Sequence, residues 1–592
     1  MAMGVSSGRV IPALTVRVAR ASNPRGTAAM WVRDRLDELF TDDDFADWYP
    51  GNGRRGLSPA RLAMVSVLQY AENLTDRQAA EAVRCRLDWK YCLSMELDDP
   101  GFDHSVLSEF RDRMAQGDRA DRLLAVVVDR LVAAGLVGRR GRVRTDSTHV
   151  LAAVRTLNRV ELVGETMRSG LEELSEAGED WLAPLVTADW ARRYGRPVRY
   201  ERLPRSAEDR LEYALQVGAD GVQLLSAVYG DDAPHRLREL PAVQVLRQVW
   251  LQQYWFDEEG QLRWREPKST HDRRSRRETP RRSTVAEAQG RPDPAVARVP
   301  WASVEIITPH DAEARFSRKV VSSGARSWIG YRDHQTETCD GTGPNVIVQV
   351  VTAPAPEQDI DALPRIHEGL AAGGFRPVEH LVDGGYISPS TIHTALTGYG
   401  IRLTGPIRTV SSNREHPGFD KRDFRPNWEQ HTLTCPRGET SSPWNETYLD
   451  GRPQYSVRFP TAVCRACEDR ALCTGNTVNR GRHVMLLPRP LEEIQNQARQ
   501  EQETSAWRER YAMRAGCEAT VSETVHAHGL RNCRYRGIAK THVQHVLTAV
   551  GTNIIRLSDC FPPGAAPSRP TRPTSPFQLL CRKLMFSTTR DR

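Results

Sequence analysis

Apolar residues recur at helical spacing through most of the first quarter of the chain. Around Leu62 and Val65, for example, they return every three or four residues. Ser58 followed by Pro59 is a typical helix start, because Ser caps free backbone N–H groups and Pro is tolerated in the first turn. The pattern predicts a helical domain over 31–138. Successive short helices suit DNA reading, and a plain helical bundle is the alternative that the pattern leaves open.

Short apolar runs predict strands in the middle of the chain. The first run closes at Asp146 and a later one closes at Asp383, and small or hydroxylated residues follow both aspartates. A sheet can hold two such carboxylates side by side. The predicted strands are 143–145, 327–339, 346–352, 379–382 and 401–404.

Three further segments differ from their surroundings. Residues 155–300 are polar and helical and end in a basic run that begins at Arg263, which fits a solvated linker or a DNA-contacting loop. Residues 410–485 are rich in Cys, Pro and Gly, and a final helical region occupies roughly 490–557. We expect 1–30 to be a disordered lead-in and, because of their many prolines, 558–592 to be a disordered tail.

Composition narrows the class of protein without deciding it. The 592 residues include 82 Lys and Arg against 75 Asp and Glu, so the chain is only mildly basic. Its length exceeds what one hydrophobic core usually organises, which favours several domains or one core with insertions. No apolar run approaches the roughly 18 residues that span a bilayer, so we expect a soluble cytoplasmic protein with no membrane partner.

The two strand-closing aspartates are candidates for metal-dependent phosphoryl transfer. Two carboxylates side by side can hold divalent ions that activate an attacking oxygen and stabilise a leaving one. Mg²⁺ prefers such oxygen ligands. Singly, Asp146 and Asp383 could equally be turn or helix caps, so this interpretation needs a third acid.

Glu518 is the candidate third acid. On a helix, Tyr511, Arg514 and Glu518 are spaced by three and four residues and therefore share one face. Such a face could supply a metal ligand together with two phosphate contacts. The alternative is an exposed helix with an ordinary Arg–Glu ion pair.

Four of the 11 cysteines fall close together, which is not the distribution of a secreted disulfide scaffold. Four thiolates in a turn-rich segment predict a closed, structural Zn²⁺ site, and four reduced thiols are the alternative. The four residues are Cys435, Cys464, Cys467 and Cys473.

Several passages resemble the IS1182 type of DDE transposases, which is related to the IS4 and IS5 groups. The resemblance covers about residues 31–557 and implies an α/β fold. It predicts an RNase H-like catalytic domain over 139–557, in which a mixed sheet is flanked by helices and interrupted by the helical and the Cys-rich insertions. The matching passages are 76–84, 101–111, 144–155, 328–331, 336–340, 379–386 and 534–545.

The resemblance also assigns roles to individual residues. It implies that Asp146, Asp383 and Glu518 are the catalytic, metal-binding acids and that Tyr511 and Arg514 contact phosphate. The related pattern has a Lys seven positions after the Glu, where this chain has Val525. A nearby cation could replace that Lys, the candidates being Arg531, Arg534, Arg536 and Lys540.

The resulting hypothesis is a DNA transposase that binds the terminal inverted repeats of an insertion sequence, cleaves there and transfers the freed strand. It implies Mg²⁺ or Mn²⁺, double-stranded DNA (element ends and target) as partner, a homodimer in the DNA complex, and a bacterial, nucleoid-associated location. Two alternatives remain. One is an inactive DNA-binding protein descended from a transposase, which the Val525 departure keeps open; the other is a general RNase H-like nuclease, which would not need the 155–300 segment.

Overall fold

The computed structural model describes residues 2–4, 10–265, 305–321, 324–340, 343–408, 418–449, 451–474 and 480–561. Its helices are α1 (Ala13–Ser22), α2 (Ala28–Leu36), α3 (Pro59–Ala71), α4 (Asp76–Cys85), α5 (Leu87–Cys92), α6 (Ser105–Met114), α7 (Arg119–Ala133), α8 (Arg159–Leu182), α9 (Ala188–Tyr194), α10 (Ala207–Tyr229), α11 (Pro241–Gln253), α12 (Asp359–Ala372), α13 (Pro389–Tyr399), α14 (Thr461–Ala466), α15 (Arg470–Thr474), α16 (Arg489–Gln502), α17 (Ser505–Ala512), α18 (Gly516–His526) and α19 (Ile538–Cys560).

Its strands are β1 (Arg142–Leu151), β2 (Tyr254–Phe256), β3 (Leu262–Trp264), β4 (Arg315–Val321), β5 (Gly324–Thr338), β6 (Ile347–Pro354), β7 (Glu379–Leu381), β8 (Arg402–Thr404), β9 (Arg425–Asn427), β10 (Thr432–Thr434), β11 (Asn445–Leu449), β12 (Arg452–Arg458) and β13 (His483–Leu486). No helix of the described segments is long and apolar enough to cross a membrane.

A mixed sheet flanked by helices forms the centre and confirms the predicted α/β class. Its strand order is β4-β5-β1-β7-β8, and β6 also pairs with β5. The long strand β5 pairs antiparallel with β1 on one side, while β4 and β6 pair with its first and second halves on the other. Strands β7 and β8 run parallel to β1.

Strand β1 is longer than the sequence predicted. It was expected to close at Asp146, but it continues to Leu151, which pairs with Gly330. The reason is that β5 supplies backbone partners far beyond Asp146, whereas the parallel partner β7 stops at Leu381, opposite Arg144. Asp146 therefore lies inside a strand and not at its end.

The helices before β1 share one hydrophobic core with the sheet. A single cluster of buried side chains joins Trp31 and Leu68 of the N-terminal helices to Val350 of β6 and Val550 of α19. Helix α19 packs directly on α3, where the Gly551 backbone approaches that of Ala71. The predicted helical region is present, but its core is continuous with that of the sheet.

The beginning of the chain corrects the expectation of a disordered lead-in over 1–30. Helix α1 lies in this stretch, and Ala19 is fully buried beside Met30. The Thr15 hydroxyl donates a hydrogen bond of 2.9 Å to the backbone oxygen of Met95. The pattern missed this helix because its buried residues are small and give little hydrophobic signal.

Helices α8–α11 and the β2–β3 hairpin, which follow β1, pack around a separate core that includes Trp190, Leu246 and Trp250. Arg263 pairs with Asp257 at 2.6 Å. The rest of the basic run, from residue 266, lies outside the described residues. So does the predicted tail from residue 562, whereas its first residues, up to Cys560, belong to α19.

The segment after β8 forms a small module of its own. Strands β9–β13 and the short helices α14 and α15 enclose a core that includes Phe424, Trp444 and Phe459. Cys435, Cys464 and Cys473 pack against this core.

The close approach of α19 to α3 gives a stability prediction. A methyl group added at Gly551 would lie 2.7 Å from the backbone nitrogen of Ala71, which cannot move cheaply. We expect Gly551→Ala to lower the free energy of unfolding by about 1–3 kcal/mol, measured by urea denaturation. The control is Gly398→Ala in α13, which meets nothing within 4 Å and should stabilise by up to about 1 kcal/mol. Equal effects of both substitutions would contradict tight helix packing at Gly551.

Candidate active site

Asp146 and Asp383 lie side by side where the pairing of β1 with β7 ends. The parallel pairing of β1 and β7 ends at Arg144 and Leu381, and each aspartate follows two residues later. The Asp146 carboxylate accepts a hydrogen bond of 2.9 Å from the backbone N–H of Ser147. Asp383 accepts one of 2.7 Å from Gly385. These hydrogen bonds fix the orientation of both carboxylates.

The guanidinium group of Arg514 lies between the three candidate acids. It is 2.9 Å from Asp146, 3.7 Å from Glu518 and 4.0 Å from Asp383, measured between the nearest nitrogen and oxygen atoms. The structure therefore brings together three residues separated by more than 100 positions along the chain.

The segment that carries Tyr511, Arg514 and Glu518 is not the single helix that was predicted. Helix α17 ends at Ala512, one turn of 3-10 helix spans Met513–Ala515, and α18 follows. The Glu518 side chain is 74% exposed, against 13% for Arg514. The Tyr511 ring stacks on Trp507, with centroids 4.7 Å apart. Arg514 is thus held against the sheet while Glu518 faces outward.

Burial and charge act against each other at this site. Burial raises the pKa of Asp146, and the neighbouring Asp383 adds to that rise, while Arg514 opposes it. Burial would lower the pKa of Arg514, but the charges of Asp146 and Asp383 outweigh it and raise that pKa. The arrangement therefore favours a charged Arg514 against the acids.

A buried carboxylate fixes α18 against the sheet. Glu337, 1% exposed, lies 2.7 Å from Arg144 of β1 and 2.8 Å from Arg556 of α19. The Thr520 hydroxyl of α18 donates to it at 2.8 Å. Gly516 leaves room for this network, because any side chain there would meet the Arg144 guanidinium. The negative charge of Glu337 in β5 therefore holds together β5, β1, α18 and α19.

Asp359 is a fourth carboxylate at the site, and the sequence reasoning missed it. It begins α12, accepts a hydrogen bond of 2.8 Å from the Ser147 hydroxyl, and pairs with Arg332 at 2.9 Å. A methyl group at Gly385 would touch both Asp359 and Asp383, which shows how near the two lie. An acid in the first turn of a helix is so common that it carried no signal.

Two residues that follow Glu518 in α18 lie in different surroundings. Glu523 pairs with Arg556 at 2.7 Å. Val525, where the related pattern has Lys, is buried in an apolar cluster with Val150 and Tyr331.

The cations considered as replacements for that Lys lie in different surroundings. Arg531 donates a hydrogen bond of 3.2 Å to the Thr148 hydroxyl. Thr148 directly follows Ser147, which contacts Asp359. Arg534 lies over the Tyr70 ring, and Lys540 pairs with Asp112. Arg536 is exposed.

The four cysteines Cys435, Cys464, Cys467 and Cys473 line one small pocket of the module after β8. Burial raises the pKa of the Cys473 thiol to about 11; Arg482 opposes the rise and the other three thiols add to it. In the described residues, no group of three or more His, Cys, Asp or Glu is arranged as a ready metal site, here or at the acids.

Comparison with known families gives two matches. Residues 434–558 match the family described as a transposase DDE domain, and residues 18–113 match a transposase domain, DUF772. The first match includes Glu518 and the four cysteines, while Asp146 and Asp383 fall outside both. No curated protein and no solved structure matches the chain. The two family matches support a DDE transposase, and the DDE domain implies an enzyme of the polynucleotidyl transferase type.

The Glu337 network gives a second prediction. Glu337→Gln keeps the shape but leaves the buried Arg144 without its countercharge and Arg556 with Glu523 alone, so we expect a loss on the order of 3 kcal/mol in the free energy of unfolding. Glu523→Gln is the matched control, because it removes a partly exposed partner of the same Arg556 and should cost at most about 1 kcal/mol. Urea denaturation of both variants measures the difference, and similar losses would refute the special role of Glu337.

Proposed function

We propose that the protein is a DNA transposase that binds the terminal inverted repeats of an insertion sequence, cleaves a phosphodiester at each end and transfers the strand to target DNA. The observation that carries this proposal is the meeting of Asp146, Asp383 and Glu518 around Arg514. Carboxylates gathered at a sheet edge suit in-line displacement at phosphorus, and both the cleavage and joining steps are of that kind.

The order of the strands supports an RNase H-like catalytic domain. From one edge the strands run β6, β5, β1, β7 and β8; β5 is antiparallel to both of its neighbours, and β7 and β8 are parallel to β1. Helices α12 and α19 pack on this sheet. We further propose the IS1182 type, since the passages that resemble it include those around both aspartates.

The acids fit Mg²⁺ or Mn²⁺, because all their donor atoms are carboxylate oxygens. A divalent ion bound there would activate the attacking oxygen and stabilise the leaving one. The positive group that lies among the acids in the structure is Arg514, so a cation is already favoured at this position. Asp146 and Asp383 would be the inner ligands, and the exposed Glu518 would complete the set from α18.

Arg514 would have a second partner when DNA is bound. Its guanidinium can pair with a phosphate as well as with Asp146, and the raised pKa keeps it charged for either. Tyr511, one helical turn before it, offers a phenol donor to the same phosphate. The proposed role of both residues is to hold the reacting phosphodiester beside the acids.

The remaining parts of the proposal concern partners. The helical region over 31–138 would read the element ends in double-stranded DNA, and its core shared with the sheet would fix the distance between the bound sequence and the acids. Two ends cut in concert need two copies of the chain, so we propose a homodimer in the DNA complex. The protein would act in the bacterial cytoplasm, at the nucleoid.

We also propose a structural Zn²⁺ in the module after β8. Four thiols line one pocket whose walls include Phe424 and Phe459, and thiolates are the ligands that zinc prefers in closed sites. The core of this module contains few residues, so a metal would add stability to it.

The proposed chemistry predicts a separation of cleavage from binding. Glu518→Gln keeps the shape of the side chain but removes a charge that would bind metal. Cleavage and joining of labelled element ends should fall by more than about 100-fold, since changing even a group that only orients a ligand costs about 10–100-fold. Binding in a gel shift should persist, because phosphate contacts made elsewhere supply it.

Glu523→Gln is the control for this test, five residues along the same helix and outside the acids. It should cleave at the rate of the unaltered protein. Cleavage by the Glu518 variant at the unaltered rate would remove Glu518 from the proposed site. Binding without cleavage by the unaltered protein would favour an inactive descendant, and cleavage without joining would favour a nuclease.

The zinc proposal predicts one zinc per chain in elemental analysis of purified protein. Cys467→Ser should lose the metal and melt at a lower temperature, because three thiolates hold zinc poorly. Cys85→Ser, which alters an exposed cysteine outside the module, should keep both the zinc and the melting temperature. Absence of zinc from the unaltered protein would reduce the cluster to four thiols.

A further inference from the structure

The β4–β5 hairpin carries a pair of uncompensated positive charges. Lys319 and Arg326 lie directly opposite each other in the antiparallel register and are both exposed. Within the described segments neither has a carboxylate within ion-pair distance, whereas Arg142, Arg144 and Arg332 of the same sheet do. Like charges at facing strand positions repel, so this pair has an energetic cost that no neighbour offsets.

The same positive surface extends to the end of β1. The His149 ring packs against Trp328 of β5, with centroids 5.3 Å apart. Arg531 joins it from the segment before α19, donating to the Thr148 hydroxyl at 3.2 Å and to the backbone oxygen of His149. Burial, followed by the charges of Arg531, Arg326, Lys319 and Arg332, lowers the pKa of His149 to about 4.

Trp328 lies under this surface, and it is 7% exposed with its ring against His149. Its indole nitrogen is enclosed and has no hydrogen-bond partner among the described residues, so the cations, and not this N–H, face a phosphate. In the described part of the chain, the Arg332–Asp359 pair is the one carboxylate contact of this surface.

A continuous set of contacts links this surface to the candidate active site. Arg332 lies over the Trp328 ring at 5.6 Å and pairs with Asp359, which lies beside Asp383. Along β1, the side chain of Ser147, which bonds to Asp359, shares one face with that of His149, two residues further on and about 7 Å away at the usual rise of a strand. A DNA strand whose reacting phosphate lies at the acids would therefore have neighbouring phosphates within reach of the hairpin.

We propose that Lys319, Arg326 and Arg531 form a phosphate-binding surface that holds DNA next to the acids. This inference rests on the proposed function and adds to it the path of the DNA. The proposed contacts are sequence-independent, because they are made to phosphates, which carry no information about the bases. It is separate from the helical region proposed to recognise the element ends.

The test compares Lys319→Gln/Arg326→Gln with the unaltered full chain. Fluorescence anisotropy measures binding to a duplex of about 40 base pairs of arbitrary sequence, without divalent metal, between about 50 and 200 mM salt. Losing two phosphate contacts should reduce the slope of log affinity against log salt by about 1.8 and weaken binding at least about 10-fold at low salt. Arg531 is left unchanged because it also holds the His149 backbone.

Arg318→Gln is the matched control. Arg318 is exposed and adjacent to Lys319, but successive strand residues point to opposite faces, so it lies on the other side of β4. It should keep a slope within about half a unit of the unaltered value, and thermal melting should show that both variants fold.

An unchanged slope in the double variant would overturn the inference and leave the proposed function standing. A slope reduced equally, per charge removed, by Arg318→Gln would overturn it too, because the effect would then come from net charge and not from this face. If the unaltered protein fails to bind this duplex, the inference falls; if it also fails to bind the element ends, the proposed function falls with it.

Discussion

The buried carboxylate of Glu337 is the interaction on which the geometry of the acids depends. A charge at 1% exposure is tolerated only when it is paired and hydrogen-bonded, and Glu337 is paired with Arg144 and Arg556 and bonded to Thr520. These partners come from β1, α19 and α18, so the charge can be satisfied in only one arrangement of the three elements. That arrangement holds Glu518, two residues before Thr520, at the edge of the sheet where β1 carries Asp146.

A second constraint comes from the shared core. Helix α19 packs on β6 with one face and on α3 with another, and Gly551 allows the two helix backbones to approach closely. The N-terminal helices consequently stand in a fixed relation to the sheet. An enzyme that must recognise one stretch of DNA and cut at a set distance from it could use this fixed relation directly. The distance between the N-terminal helices and the acids would then be set by packing, without a hinge between them.

Local patterns could predict the elements but not their partners. The apolar runs located five of the six strands of the central sheet, because a buried strand needs such a run wherever it pairs, and they missed β4. They could not show that β1 continues past Asp146, since its extension depends on β5, nearly 200 residues away. Spacing placed Arg514 and Glu518 near each other, but not Arg514 against Asp146. Asp359 was missed, and the N-terminal helices were expected to form a domain separate from the sheet. Both errors have the same reason, because both features depend on contacts between distant segments.

The charges at the candidate site explain why Arg514 is both a stabiliser and an obstacle. Four carboxylates gather near two guanidinium groups, which leaves two negative charges uncompensated when all are ionised; the groups are Asp146, Asp359, Asp383, Glu518, Arg332 and Arg514. One divalent ion would balance that excess, but Arg514 lies where the ligands converge. A phosphate that drew Arg514 toward itself would free Asp146 and deepen the negative potential at the acids. Substrate and metal would then strengthen each other's binding. The phosphate would pair with Arg514, and the metal ion would supply the positive charge that Asp146 then lacks.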